Sequence, residues 1–256
     1  MTTKPLTGKP LTAKPLTGKP LTGKPQTAKF LTMFRWDVTL QGRQGFYYAA
    51  LVVTVLWCVV LLQLPLNGRL FLLPLVIFVD LSIFGFYFMA GLLYLEKGEG
   101  ILEALAGTPL PRLTYLFSKV ASLTLLSTLI VVAVVLVTYG VAINWLVLLA
   151  GVVLNSGILI LIGFILAVRY RAISEFFIPS AIYLLPTQLP LLDYLGLWDG
   201  WPLYLIPTQA TMLLIQAVFV PIAPWQYIYA FGYLFVTAVV VTRWALRAFD
   251  RFVAQA

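Results

Sequence analysis

Long apolar segments alternate with short polar ones along most of this chain. The apolar segments are each about as long as the roughly 20 residues that cross a bilayer as a helix. They lie near 46–64, 70–95, 115–139, 141–168, 176–195 and 225–246. They lack the ten-residue alternation of transmembrane β-strands, and a helix satisfies its own backbone hydrogen bonds in lipid. The pattern therefore predicts an all-α membrane bundle with six transmembrane helices.

The segment 28–44, before the first apolar run, has a helical period instead. A broad apolar arc is interrupted by Asp37 and Gln41, and the opposite face is polar. That polar face carries Thr32, Arg35, Thr39 and Arg43. The pattern predicts an interfacial helix that packs against protein as well as lipid. The alternative is a cytoplasmic extension of the first span.

A second short apolar stretch, 209–219, lies between Pro207 and Pro221. It is too short to cross a bilayer. We expect a re-entrant helix or a helix on the outer surface.

Composition and charge agree with a membrane protein. The chain is 61% apolar and only 10% charged, and its net charge is +8. If both termini are cytoplasmic, Arg69 is the only basic residue among 17 that lies outside, as the positive-inside rule requires. The predicted location is the inner or plasma membrane, multi-pass, with both termini in the cytoplasm. The positive charge then reflects topology and a basic tail, and we expect no nucleic-acid partner.

The residue inventory limits the chemistry. There is no histidine, and the single cysteine, Cys58, lies within the first span. A Cys/His zinc site and a Ser-His-Asp triad are therefore excluded. We expect no enzymatic activity, no metal and no cofactor bound by this chain.

Residues 1–27 form a separate basic tail ahead of a membrane domain at 28–256. The tail repeats Lys-Pro-Leu-Thr, and a proline every fifth residue forbids a helix. Its lysines either attract anionic lipid headgroups or belong to a leader without a role. The stretch from Gly18 to Lys24 resembles a phosphate-binding loop, but Pro25 stands where Ser or Thr would bind magnesium.

A charged insert rich in glycine and proline, 96–112, separates the second and third apolar runs. Glu99 and Glu103 are four residues apart, so on a helix they share one face that a partner's basic side chains could reach. The insert is either a docking handle or a solvated loop whose charges keep it out of the lipid.

The insert resembles the coupling-helix motif of permease subunits in type-2 ATP-binding-cassette exporters. The resemblance rests on Glu96-Lys97-Gly98-Glu99-Gly100-Ile101-Leu102-Glu103-Ala104-Leu105, then Thr108-Pro109-Leu110 and Ser118-Lys119. Gly98 and Ile101 depart from it, since the family often has an acidic residue and Thr there. Smaller motifs, such as Arg35-Trp36-Asp37 and Pro207-Thr208-Gln209, resemble fluoroquinolone-export permeases.

The resemblance implies a docking site for a separate ATP-binding-cassette ATPase, which would bind the ATP and magnesium. The implied coupling residues are Glu96, Glu99, Gly100, Leu102, Glu103, Thr108, Pro109 and Leu110. A second, smaller contact would come from Arg169, Arg171 and Glu175. A second permease copy, or a related permease, would complete the pathway.

The pathway candidates are Asp80, Asn155 and Gln188. Asp80 lies near the middle of the second span, where an ionised carboxylate is costly. It either lines the pathway and favours cationic or zwitterionic substrates, or hydrogen-bonds to Asn155 or Ser156. Gln188 lies in a span broken by prolines, which suits a cavity lining or close packing against a neighbour.

The leading hypothesis is therefore the permease subunit of an exporter for a drug-like or other amphipathic small molecule. The alternative is a non-transporting membrane scaffold that recruits a cytosolic partner through the 96–112 insert. A channel or proton-coupled transporter is disfavoured, because the chain has one central acid and no histidine.

Overall fold

A computed structural model of the protein describes residues 26–101, 111–198 and 200–253. Within these ranges the secondary structure is helical and no residue lies in a strand, which confirms the predicted all-α class. The α-helices are α1 (Gln26–Arg43), α2 (Phe46–Leu62), α3 (Leu66–Gly98), α4 (Arg112–Thr138), α5 (Trp145–Ala167), α6 (Ile173–Leu184), α7 (Pro190–Tyr194), α8 (Pro207–Gln216) and α9 (Pro224–Val253). Two short 3₁₀ helices lie at Leu185–Gln188 and Trp201–Leu205.

Four of the described helices, α3, α4, α5 and α9, are each long and apolar enough to cross a membrane. The bent pair α1 and α2 passes the same test jointly. The predicted fifth span, 176–195, is divided among α6, the 3₁₀ helix and α7. The count of six transmembrane helices therefore stays a prediction.

A helix is present at the predicted position as α1, and it meets α2 at an angle of 65°. Its interfacial location stays a prediction. Gly45 makes the bend, with a φ of 82° in the left-handed region that favours glycine. Arg35 and Arg43 are exposed, whereas Asp37 and Gln41 are fully buried. The helix therefore packs against protein through its polar interruptions, as expected, and is not a straight extension of the first span.

Helix α5 occupies the centre of the bundle and packs against α3, α4, α8 and α9. Helices α5 and α3 approach closely at Gly163. A Cβ atom added there would lie 2.5 Å from the carbonyl oxygen of Phe86. Only a residue without a side chain allows the two backbones to pack at this separation.

Two prolines of the predicted fifth span lie where the helix is interrupted, whereas Pro179 lies inside α6. Pro186 lies in the 3₁₀ helix and Pro190 opens α7, and each removes a backbone donor. Threonine hydroxyls form hydrogen bonds to backbone carbonyls in this segment. Thr187 donates to the oxygen of Leu184 at 2.6 Å, and Thr208 of α8 donates to the oxygen of Thr187 at 2.7 Å. The break is thus tied to α8.

The short apolar helix α8 is an interior element. All residues from Thr208 to Ile215 are buried, and the helix packs against α3, α5 and α9. A helix on the outer surface would expose one face. The helix is therefore part of the packed bundle, and its position relative to the membrane stays a prediction.

The close packing at Gly163 generates a prediction for stability. We expect Gly163→Ala to force α3 and α5 apart and to destabilise the bundle by about 1–3 kcal/mol, as overpacking does in other cores. The measurement is the thermal unfolding midpoint of purified protein in detergent, followed by size-exclusion chromatography.

Gly157, on the same helix, is the matched control. A Cβ there would lie 3.8 Å from a side-chain methyl of Val120, an ordinary contact. Gly157→Ala should leave the midpoint unchanged or raise it. Equal midpoints for the two alanine variants would contradict the close approach at Gly163.

Candidate functional site

One end of the bundle gathers the start of α4 and the ends of α3, α5 and α9, with α1 lying against it. We call it the basic end, because arginines are exposed there. They include Arg35, Arg43, Arg169, Arg171 and Arg251. The basic end also carries the two points where the 96–112 insert leaves and re-enters the bundle.

Three charged side chains meet in the interior of the basic end. The ammonium of Lys119 forms ion pairs with Asp37, at 2.9 Å, and with Glu96. The exposed fractions are 0% for Lys119 and Asp37 and 2% for Glu96. We call these three residues the charge cluster. They come from α4, α1 and α3 respectively, so the cluster joins three helices.

Hydroxyl and amide groups complete the cluster. Tyr115 donates to the Oε2 of Glu96 at 2.6 Å, and Ser118 donates to the Oδ2 of Asp37. Ser122 lies one turn after Ser118 on α4, and its hydroxyl accepts a hydrogen bond from the amide of Gln41 on α1 at 2.8 Å. Both carboxylates thus accept hydrogen bonds in addition to the ion pair, which a charge buried at a membrane boundary requires.

The energetic character of the cluster follows from its burial. A buried ion pair adds little net stability over a well-packed apolar substitute, but removal of one partner leaves an uncompensated charge and is strongly destabilising. The pairing geometry therefore specifies how α1, α3 and α4 fit together. Because Glu96 is near the end of α3 and Lys119 near the start of α4, the cluster holds both stems of the insert.

The next residue, Lys97, points to a different element. Its ammonium donates to the carbonyl oxygens of Ala167 at 3.0 Å and Tyr170 at 2.8 Å. It also lies 4.9 Å from the ring centre of Tyr94, within cation–π range. Consecutive residues of α3 thus bind α4 on one side and the end of α5 on the other.

The predicted coupling residues fall into two groups. Glu99 is exposed, and Gly100 has a φ of 67°, so the chain turns sharply as it leaves α3. Glu96, by contrast, lies inside the charge cluster and does not present its carboxylate to a partner. The predictions for Leu102, Glu103, Thr108, Pro109 and Leu110 lie outside the described residues.

The predicted second contact comprises the turn between α5 and α6 and the first residues of α6, which together we call the 169–175 turn. Arg169, Arg171 and Glu175 are all exposed on it. The guanidinium of Arg169 lies 5.9 Å from the ring centre of Trp244 on α9. The backbone N–H of Arg171 donates to the Oε2 of Glu175 at 3.3 Å. The turn is thus ordered locally and tied to the last helix.

An open groove of about 400 Å³ lies between α1 and the start of the insert. Its lining combines a cation, a carboxylate, an indole and two hydroxyls with apolar side chains. The lining residues are Thr32, Met33, Arg35, Trp36, Thr39, Glu96 and Ile101. The groove puts the polar face of α1 and the first stem of the insert on one surface.

Asp80 is hydrogen-bonded within the membrane-spanning region, but the expected partner is wrong. The Nε1 of Trp57 on α2 donates to its Oδ1 at 3.0 Å. Asn155 instead accepts a hydrogen bond at 2.9 Å from the hydroxyl of Thr211 on α8. Sequence spacing did not reveal that α2 supplies the donor, because the facing position depends on how the helices pack.

The pathway candidates do not form one group. Asp80 pairs with α2 and Asn155 with α8, while Gln188 donates to its neighbour Thr187 at 3.2 Å. No hydrogen bond joins any two of the three in the described ranges. Asn155 also retains a buried Nδ2 with no hydrogen-bond partner.

The charge cluster was missed as a unit in the sequence. Two signals were present: Asp37 and Gln41 interrupt the apolar arc of α1, and Lys119 lies inside an apolar run predicted to span the membrane. Either polar interruption or intramembrane charge indicates a buried partner. Lys119 is 82 residues from Asp37 and 23 from Glu96 in the chain, so spacing could not match them.

Comparisons with known proteins give a consistent result. The model of the fluoroquinolones export permease protein family matches residues 28–256. Two proteins of Mycobacterium tuberculosis, from strains CDC 1551 / Oshkosh and H37Rv, are each named fluoroquinolones export permease protein. Each is 37% identical over 227 residues, covering 86% of this chain and 94% of the relative.

The charge cluster generates a second stability prediction. Lys119→Met leaves two buried carboxylates without their cation, so we expect a loss of about 3–5 kcal/mol. The triple variant Asp37→Asn, Glu96→Gln, Lys119→Met removes all three charges and should recover most of that loss. The measurement is the thermal midpoint of each variant in the same detergent.

Arg43→Met is the control, since Arg43 is an exposed cation on α1. It should shift the midpoint by less than about 0.5 kcal/mol equivalent, as surface substitutions do. If the triple variant were no more stable than Lys119→Met, the ion pairs would not explain the loss.

Proposed function

Because this chain belongs to the fluoroquinolones export permease protein family, we propose that it is the membrane subunit of an exporter driven by a separate ATP-binding-cassette ATPase. Family membership and the apolar helices establish the coarser statement: the chain is a multi-pass membrane protein with a transport permease role. The ATPase coupling, the substrate and the topology are the proposal.

The observation that carries the proposal is the way the insert is anchored. Its first stem ends α3 beside Glu96, its second stem begins α4 before Lys119, and these two side chains form a buried ion pair. A force on the insert would therefore move α3 and α4 together. Through Asp37 the same cluster would also move α1.

The basic end is the proposed cytoplasmic side. Exposed arginines on α1, on the 169–175 turn and on α9 lie there. Cytoplasmic loops near span ends collect such residues. The proposed location is the cell membrane with both termini in the cytoplasm, where the insert and the groove beside α1 would be accessible to a soluble ATPase.

ATP hydrolysis is assigned to the partner. The only stretch of this chain that resembles a phosphate-binding loop, from Gly18 to Lys24, is followed by Pro25, which cannot bind magnesium. We therefore propose that this chain binds no nucleotide and is not itself an enzyme. ATP and magnesium would be held by the ATPase.

A second permease copy, or a related permease, is proposed to face the broken helix. On α6 and the 3₁₀ helix, Ile178, Ile182 and Leu185 are largely exposed beside a stretch of interrupted backbone. Irregular backbone in a membrane is tolerated where protein or a water-filled cavity covers it. Two such surfaces facing each other would enclose the pathway.

The proposed substrate is an amphipathic drug-like molecule that carries a positive charge. The relatives are named for fluoroquinolones, and Asp80 supplies a carboxylate in the middle of α3 beside the indole of Trp57. A carboxylate next to an aromatic ring suits a cationic or zwitterionic ligand.

The test of the coupling proposal is co-purification. We expect the C-terminally tagged protein, extracted from native membranes in mild detergent, to bring down a Walker-type ATPase in comparable amount. Glu99→Arg with Glu103→Arg should abolish this, because it reverses the charge of the proposed docking face. Quantitative mass spectrometry of the eluate is the measurement.

Arg251→Glu is the matched control, since it reverses an exposed charge at the same end that the proposal does not use. It should leave the ATPase yield unchanged. Absence of any ATPase, or equal recovery with the double variant, would favour a membrane scaffold instead.

Asp80 generates a separate prediction. Asp80→Asn keeps a hydrogen-bond acceptor for Trp57 but removes the charge, so we expect export of a cationic or zwitterionic quinolone to fall by about tenfold, equivalent to about 1.4 kcal/mol. Export of an uncharged dye should persist. Efflux from loaded cells is the measurement.

Trp57→Phe distinguishes a structural role for the pair. It removes the donor and leaves the carboxylate. If both variants lowered the thermal midpoint equally and changed export of charged and neutral substrates alike, Asp80 would be a link between helices and not a substrate contact.

A further inference from the structure

We propose that Lys97 is a positioning residue, which fastens the 169–175 turn to the end of α3, where the insert begins. The exposed surface at Glu99 and the exposed surface of the turn then move as one body. The proposal deepens the coupling function and in that respect rests on it. The fastening itself is a property of this chain alone.

The ammonium of Lys97 contacts the end of α5. Lys97 is half-buried at the end of α3, and its Nζ donates to the oxygens of Ala167 and Tyr170, at 3.0 and 2.8 Å. These two carbonyls flank the point where α5 stops and the turn begins. The ammonium therefore fixes the direction in which the chain leaves α5.

The carboxyl end of a helix attracts cations. The last carbonyls of a helix have no partner within the helix and carry the negative end of its dipole. A cation from another element satisfies them and links that element to the helix end. Lys97 lies 70 residues from Ala167 in sequence, so the contact is tertiary and not a local cap.

The 169–175 turn is held by contacts with two helices, α3 and α9. Lys97 holds its beginning against α3, and Arg169 stacks on Trp244 of α9 at 5.9 Å. On the other side of α3, Glu96 binds Lys119. The contacts form a continuous belt around the basic end, with α3 at its middle.

The belt has a consequence for coupling. Glu99 lies two residues beyond Lys97, and Arg171 and Glu175 lie on the turn that Lys97 holds. Without the ammonium, the two surfaces would still be linked through the packing of α3 against α5 and α6, but the polar contact between the end of α3 and the beginning of the turn would be lost. With it, displacement of one surface carries the other.

The experiment measures the distance between the two surfaces. In a Cys58→Ser background, spin labels at Glu99→Cys and Ser174→Cys report that distance in nanodiscs by pulsed electron paramagnetic resonance. We expect Lys97→Met to broaden the distance distribution about twofold, because local order depends on such contacts. Lys97→Arg, which retains several donors, should restore a narrow distribution.

Arg69→Met is the matched control. Arg69 donates to the carbonyl oxygens of Leu62, the last residue of α2, at 3.0 Å and of Leu64 at 2.9 Å. It lies at the start of α3, at the opposite end of that helix from Lys97. Its loss should lower stability without changing the distance distribution at the basic end. A generic effect of removing a helix-end cation would appear in both variants, whereas positioning would appear only with Lys97→Met.

Lys97→Gln provides a milder variant if Lys97→Met does not yield monodisperse protein, since its shorter neutral side chain also breaks the ammonium contacts. A distribution that stays narrow in the neutral variants would overturn the proposal, whether or not an ATPase binds. Broadening in them, with recovery in Lys97→Arg, would support it even if no ATPase co-purified, and in that case the coupling function would fail separately.

Discussion

One buried ammonium at the edge of the membrane region sets the geometry of this protein's basic end. Lys119 can keep its charge there only if Asp37 and Glu96 both reach it, and the two carboxylates come from different helices. That requirement fixes α1 against α4 and closes the insert at its base. The belt through Lys97 and the groove beside α1 follow from the same placement, because each uses a residue next to the charge cluster.

The bundle is packed unevenly, and the unevenness suits a permease. Around α5 the packing is close enough that Gly163 meets the backbone of α3. Along α6 and the following 3₁₀ helix, by contrast, prolines interrupt the backbone hydrogen bonds and large side chains such as Ile178 are exposed. The closely packed pair α3 and α5 carries the connections of the basic end, and the interrupted segment, which is tied to α8, exposes apolar side chains that a neighbour could contact.

Much of the fold could be read from the sequence because it depends on local periodicity. The polar face of α1 was visible in the pattern, as was the inward role of Asp37. Pairings could not be read, since they depend on how helices rotate against one another. Asp80 was matched with α5 but bonds Trp57 of α2, and Glu96 was placed on a docking surface but lies buried beside Lys119.

The separation between Asp37 and Lys119 also bears on how the protein is made. The two residues are 82 positions apart, and all of α2 and α3 lies between them. During synthesis α1 emerges first, with a carboxylate that has no counter-ion until the start of α4 has been translated. Its docking through Asp37 therefore cannot precede synthesis of the start of α4. Insertion of the third long apolar segment completes the site, so the ribosome has passed the whole insert before α1 can dock.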